Sequence, residues 1–134
     1  MALKIALRVL AGLIAHARDE APLECCGLLG GKGDLIDEYA PTRNVRASQV
    51  AYEIDPREHI EIMKGLRARD RSVLGAYHSH PRTAALPSAT DVAEAHYEMD
   101  FVYVIVSLER EPPDIRAYRL ERDALIEVPF EAKA

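Results

Sequence analysis

The most apolar run in the chain is Phe101 to Leu108, which reads Phe-Val-Tyr-Val-Ile-Val-Ser-Leu. It is far shorter than the ~20 residues that cross a bilayer. Without polar alternation, it reads as a central strand covered on both faces. A strand so placed needs a layer on each side, which confines the chain to an architecture of packed layers. The chain has 134 residues, 49% apolar and 29% charged. That is enough for one domain, residues 1–134, with a core of its own and far from the composition of disordered chains. A domain of this size folds without disulfides or a structural metal, so a metal site in it would serve chemistry.

The remaining segments supply the layers. Leu3, Leu7, Leu10, Ile14 and Ala17 fall on one helical stripe, with Lys4, Arg8 and Arg18 off it. This favours a first helix over a signal peptide, although Val9 to Ala15 is apolar and follows two basic residues. Glu24 to Gly31 reads as a buried strand running into a glycine-rich turn, and Leu35–Tyr39 and Val50–Ile54 read as further strands. Asp55-Pro56-Arg57-Glu58 announces a helix with an Asp cap, Pro at the first position and Glu reaching back. Ile60, Met63 and Leu66 give that helix its core face. A strand over Ser72–His78, a loop from Ser79 to Pro87 and a helix from Ser88 to about Met99 come next. After the central strand, Ile115–Leu120 alternates as a half-exposed strand and Leu125–Val128 adds an edge. Strands interspersed with three helices predict a mixed α/β layer structure.

The formal charge of −5 provides no basic field for phosphates, so a nucleic-acid partner is not expected. No run is long enough for a membrane span. The two cysteines, Cys25 and Cys26, are adjacent, which excludes an extracellular disulfide framework and fits a reducing, cytoplasmic setting. Alternation puts Cys26 on the face of Glu24 and Cys25 on the other. Both are expected to be small buried residues rather than metal ligands or nucleophiles. His16, His59 and His96 fall on helices and are expected to be solvated or satisfied in the core.

Chemistry concentrates in Tyr77-His78-Ser79-His80-Pro81 through Ser88-Ala89-Thr90-Asp91. Residues two apart on a strand share a face, so His78 and His80 can converge on one metal ion. Asp91, in the first turn of a helix, can return to the same point. Two imidazoles and a carboxylate leave a tetrahedral zinc one open position, the arrangement of catalytic rather than structural sites. Amide hydrolysis also needs a proton-accepting group. Glu24 is the best candidate, because a carboxylate leading a buried apolar strand is otherwise costly. Each feature has an ordinary alternative: a His-x-His pair is more often surface or hydrogen-bonded, Ser88-x-x-Asp91 is complete as a capping box, and Glu24 can be the solvated start of its strand.

Taken together, His78-x-His80, Ser88-x-x-Asp91 and the upstream Glu24 within Pro-Leu-Glu-Cys-Cys-Gly-Leu-Leu-Gly-Gly resemble the JAMM metalloprotease motif of the catalytic MPN domain family, most of all its small prokaryotic members. The similarity extends over nearly the whole chain. It implies a cytidine-deaminase-like α/β sandwich with a mixed central sheet flanked by about three helices. It further implies one zinc per chain on His78, His80 and Asp91, Glu24 as general acid and base, and Ser88 donating to the developing oxyanion. Family substrates are conjugates of ubiquitin-like proteins cleaved after a C-terminal Gly-Gly, and in bacteria these are sulfur carriers. A carrier protein or its adduct is therefore the expected partner, with the oligomeric state left open, a homodimer included. The chain has no insertions of the kind that read ubiquitin linkage, and no Pro-Cys-x-x-Cys deaminase signature. The competing functions are a non-catalytic MPN scaffold, disfavoured by the complete ligand set, and a peptidase acting on cell-wall or other peptides, which would bring a secretion signal or partner domain.

Overall fold

The computed structural model describes residues 2–95 and 101–134. The elements run β1 (Leu3–Ala6), α1 (Leu7–Glu20), β2 (Cys26–Lys32), β3 (Leu35–Thr42), α2 (Pro56–Ala68), β4 (Ser72–His80), α3 (Ala89–Glu94), β5 (Val102–Ser107), β6 (Asp114–Glu121), β7 (Ala124–Val128) and β8 (Phe130–Lys133). The eight strands of the described residues join one mixed sheet in the order β7-β6-β5-β4-β2-β3-β1-β8. The apolar run Val102–Ser107 is buried throughout and lies inside the sheet, parallel to β4 on one side and antiparallel to β6 on the other. The predicted mixed α/β architecture with three helices is the one observed.

Only Pro129 separates β7 from β8, yet the two occupy opposite ends of the strand order. The sheet therefore curls until its edges approach one another. Its concave side encloses α1, whose Val9, Leu13 and Ala17 pack with Ile5, Leu29, Ile36, Val104 and Val106. The opposite side carries Tyr103, Ile105 and Tyr118 with Ala85 of the β4–α3 loop, and Leu66 of α2 rests on Gly30 of β2.

Local signals misplace several boundaries. Leu3–Ala6 continues the predicted helical stripe but forms a strand, because β3 and β8 offer it backbone partners on both sides. With the helix starting at Leu7, the buried row becomes Val9, Leu13 and Ala17, and Leu7 is 52% exposed. Leu66 is the buried residue of α2, while Ile60 is 48% exposed. Asp55 caps α2 as predicted, accepting from Arg57 N, but the Glu58 carboxylate accepts from Arg43 N instead of completing a box. Val50–Ile54 forms no strand, and only Ile54 bridges to Asn44. The third helix is described over Ala89–Glu94, and its predicted extension to Met99 lies outside the described residues, as does His96. No helix among the described residues is long and apolar enough to cross a membrane.

Candidate metal and hydrolytic centre

The parallel pair β4 and β5 ends at His80 and Ser107, and the chain passes from one to the other through α3. Sites in α/β sheets favour the carboxyl ends of such strands. His78 and His80 sit there, alternate residues on one face, and both are buried. The His80 ring is fixed by its Nδ1, 2.8 Å from Ala84 O, so its Nε2 faces the site. The His78 ring lies flat against Tyr52, with centroids 4.3 Å apart and planes 18° from parallel.

Asp91 arrives on α3, whose start is a reciprocal capping box. Ser88 Oγ accepts from Asp91 N at 3.0 Å, and Ser88 N donates to Asp91 Oδ2 at 2.9 Å. The same Oδ2 lies 3.2 Å from His78 Nε2 and 3.1 Å from His80 Nε2, and the two imidazole nitrogens are 3.2 Å apart. Among the described residues, these three form the group that could hold a metal ion. Tetrahedral zinc with bonds of about 2.0–2.1 Å has ligand-to-ligand edges of about 3.3 Å, so the triangle has the dimensions of such a shell. Burial raises the Asp91 pKa, but the two histidines and Ser88 N outweigh it and hold the carboxyl well below the usual range. Burial lowers His78, against the pull of Asp91. At His80 burial is outweighed by Asp91 and the Ala84 carbonyl, and its pKa rises.

Glu24 reaches this group through strand register. It precedes β2, whose Cys26 pairs with His78 in the antiparallel ladder with β4, so Glu24 falls level with His80 on the same face. Cys25 between them turns to the other face and binds Ser79, which lies between the two histidines: Cys25 N donates to Ser79 Oγ at 2.8 Å, and Ser79 N donates to Cys25 O at 3.1 Å. The Glu24 side chain is buried, and its Oε1 has no hydrogen-bond partner among the described residues. Burial pushes its pKa up to about 7, with His80 opposing and Asp91 reinforcing the rise.

The cysteines stand apart from this chemistry. Burial pushes Cys25 up to about 12 and Cys26 up to about 11, so both are neutral thiols at physiological pH. Cys26 does share the face of Glu24, but its Sγ is engaged with Thr42 Oγ1 at 3.4 Å. His16 is satisfied as expected, 2.8 Å from the Tyr77 hydroxyl. His59 lines a cavity of about 420 Å³ together with Tyr52, Leu28, Ala76 and Tyr103. Tyr52, Ser79 and Asn44 were not singled out by sequence reasoning. Of these, only Ser79 had a local signal, its position between two histidines.

The chain is similar to the CysO-cysteine peptidase of Mycobacterium tuberculosis, 36% identical over 121 residues that cover 87% of this chain and 82% of that protein. It is similar also to a desampylase of Haloferax volcanii, 38% identical over 102 residues covering 71% and 73% of the two chains. The solution structure of protein DSY2949 from Desulfitobacterium hafniense superposes with a TM-score of 0.88 at 32% identity, covering 98% of this chain and 92% of that one. The class is that of hydrolases acting on peptide or isopeptide bonds. Within it, the chain belongs to the prokaryotic homologs of the JAB domain, whose family model matches residues 7–121.

Proposed function

We propose that the protein is a zinc-dependent peptidase or isopeptidase that hydrolyses the amide bond after the C-terminal Gly-Gly of a ubiquitin-like or sulfur-carrier protein. The observation that carries this reading is the Glu24 carboxylate, buried, raised to about 7 and without a partner at Oε1, level with a histidine of a three-ligand cluster. His78, His80 and Asp91 would hold the zinc, one per chain. When bound, zinc supplies Lewis acidity and lowers the pKa of a coordinated water toward 7. Glu24 takes the proton from the attacking water at its carboxylate and returns it to the leaving amine, a task for which a pKa near neutrality is suited. Ser88 Oγ accepts from Asp91 N, so its own hydrogen is left to donate to the carbonyl oxygen as negative charge develops there. The proposed substrate class is supported by similarity to relatives named CysO-cysteine peptidase and desampylase.

The test is turnover of a Gly-Gly-terminated carrier joined to an amino acid or a protein lysine, with metal content measured on the same samples. Glu24→Gln is expected to keep zinc and lose about 10²- to 10⁴-fold in kcat, whereas His78→Ala loses zinc and activity together. Wild-type turnover by Glu24→Gln would remove the proposed acid–base role.

A further inference from the structure

Glu24 stands outside the ladder of β2, so the sheet does not hold its peptide group. Both of its backbone polar groups are held instead by the loop between β3 and α2. Glu24 N donates to Ser48 O at 2.8 Å, and Glu24 O accepts from Asn44 Nδ2 at 3.0 Å. The buried Asn44 side chain does more than this. Nδ2 also donates to Ala51 O at 3.0 Å, and Oδ1 accepts from Arg46 N at 3.1 Å and Glu53 N at 3.0 Å. Two donors and two acceptor sites are the full capacity of a carboxamide, and all four are used. One side chain thus closes the loop on itself and fastens it to Glu24. The same closure fixes Ala51 and Glu53 on either side of Tyr52, whose ring lies against His78.

We infer that Asn44 is a positioning residue for the hydrolytic reaction, setting the Glu24 carboxylate against the His78, His80 and Asp91 cluster through the Glu24 backbone. This rests on the proposed role of Glu24. A buried amide that only stabilised the loop would matter equally whatever residue stood at position 24. An amide that acts through Glu24 loses its catalytic importance once the carboxylate is gone.

The experiment is a double-mutant cycle of Asn44→Ala and Glu24→Gln, read by single-turnover cleavage of a Gly-Gly-terminated carrier adduct. It is accompanied by zinc titration and by hydrogen exchange at the Glu24 amide. Asn44→Ala alone is expected to lower kcat about tenfold or more with KM within about twofold, to leave zinc affinity within about threefold, and to speed exchange at the Glu24 amide. In the Glu24→Gln background the same change is expected to cost less than about twofold. Equal losses in both backgrounds, or loss of activity only in step with loss of zinc, would overturn the inference. Should Asn44→Ala fold poorly, Asn44→Asp, which keeps the acceptor and removes both donors, runs the same cycle. Full turnover by the single Glu24→Gln variant is a separate outcome that strikes the acid–base reading itself.

Discussion

At Glu24 the backbone is tightly held while the carboxylate oxygen Oε1 lacks a hydrogen-bond partner, and the two facts have opposite effects on stability. Its pKa is raised by burial from an ordinary value near 4.5 to about 7, so the native state prefers the protonated acid. Below pH 4.5 both native and unfolded chains carry the proton and nothing is lost. Between 4.5 and about 7 the unfolded chain releases a proton that the native chain retains, and stability falls as pH rises; above 7 the loss is complete. Metal-free Glu24→Gln is therefore expected to match the wild type at pH 4.5 and to exceed it by about 2 kcal/mol at pH 8, allowing for solvent screening, as measured by urea denaturation at the two values. His78, His80 and Asp91 were legible because their signals are local: alternation on a strand and a cap at a helix start. Glu24 was legible through the cost of burying a carboxylate. Asn44 and Tyr52 were not, since a polar or aromatic residue in an irregular loop acquires its role only when tertiary structure brings Glu24 and His78 to it.

At the scale of the element, α3 is a short helix whose first turn is also a wall of the site. Capping and the proposed oxyanion donation converge on one hydroxyl, and substitution can separate them. Ser88→Ala is expected to cost about 1 kcal/mol of stability, whereas Ser88→Gly, a tolerable cap, costs a few tenths. Both remove the hydroxyl, and both are expected to lower kcat by about 100-fold, so that denaturation midpoints diverge while turnover falls together. The strands near the chain ends were the hardest elements to read. Leu3–Ala6 is short and continues an amphipathic helical pattern, and Phe130–Lys133 is a four-residue edge with little apolar content. Phe130–Lys133 is held at the sheet edge by a parallel pairing that places Leu3 opposite Phe130, and Leu3–Ala6 is held by that pairing and by β3 on its other side. Such distant pairing leaves no trace in local periodicity.

Over the whole molecule, the curled sheet gives α1 a fully enclosed face, with Leu13 at its centre and no solvent exposure. Leu13→Ala is expected to cost about 2–5 kcal/mol in urea denaturation, within the range for enclosed leucines that leave a cavity. The candidate metal cluster of His78, His80 and Asp91 lies away from this core, on the side of β4 that α1 does not cover, so the proposed zinc affinity of the folded variant is expected to be unchanged. The junction of β1 with β8 also bears on time. The β2–β3 ladder links neighbouring segments and the β2–β4 ladder pairs Cys26 with His78, whereas the β1–β8 seam joins the two ends of the described chain. Closing so long a loop is entropically slow. The ladder of β2 with β4, which aligns Glu24 with His78 and His80, closes a shorter loop and is expected to form earlier, while the wrapping of the sheet around α1 is completed only when its most distant partners meet.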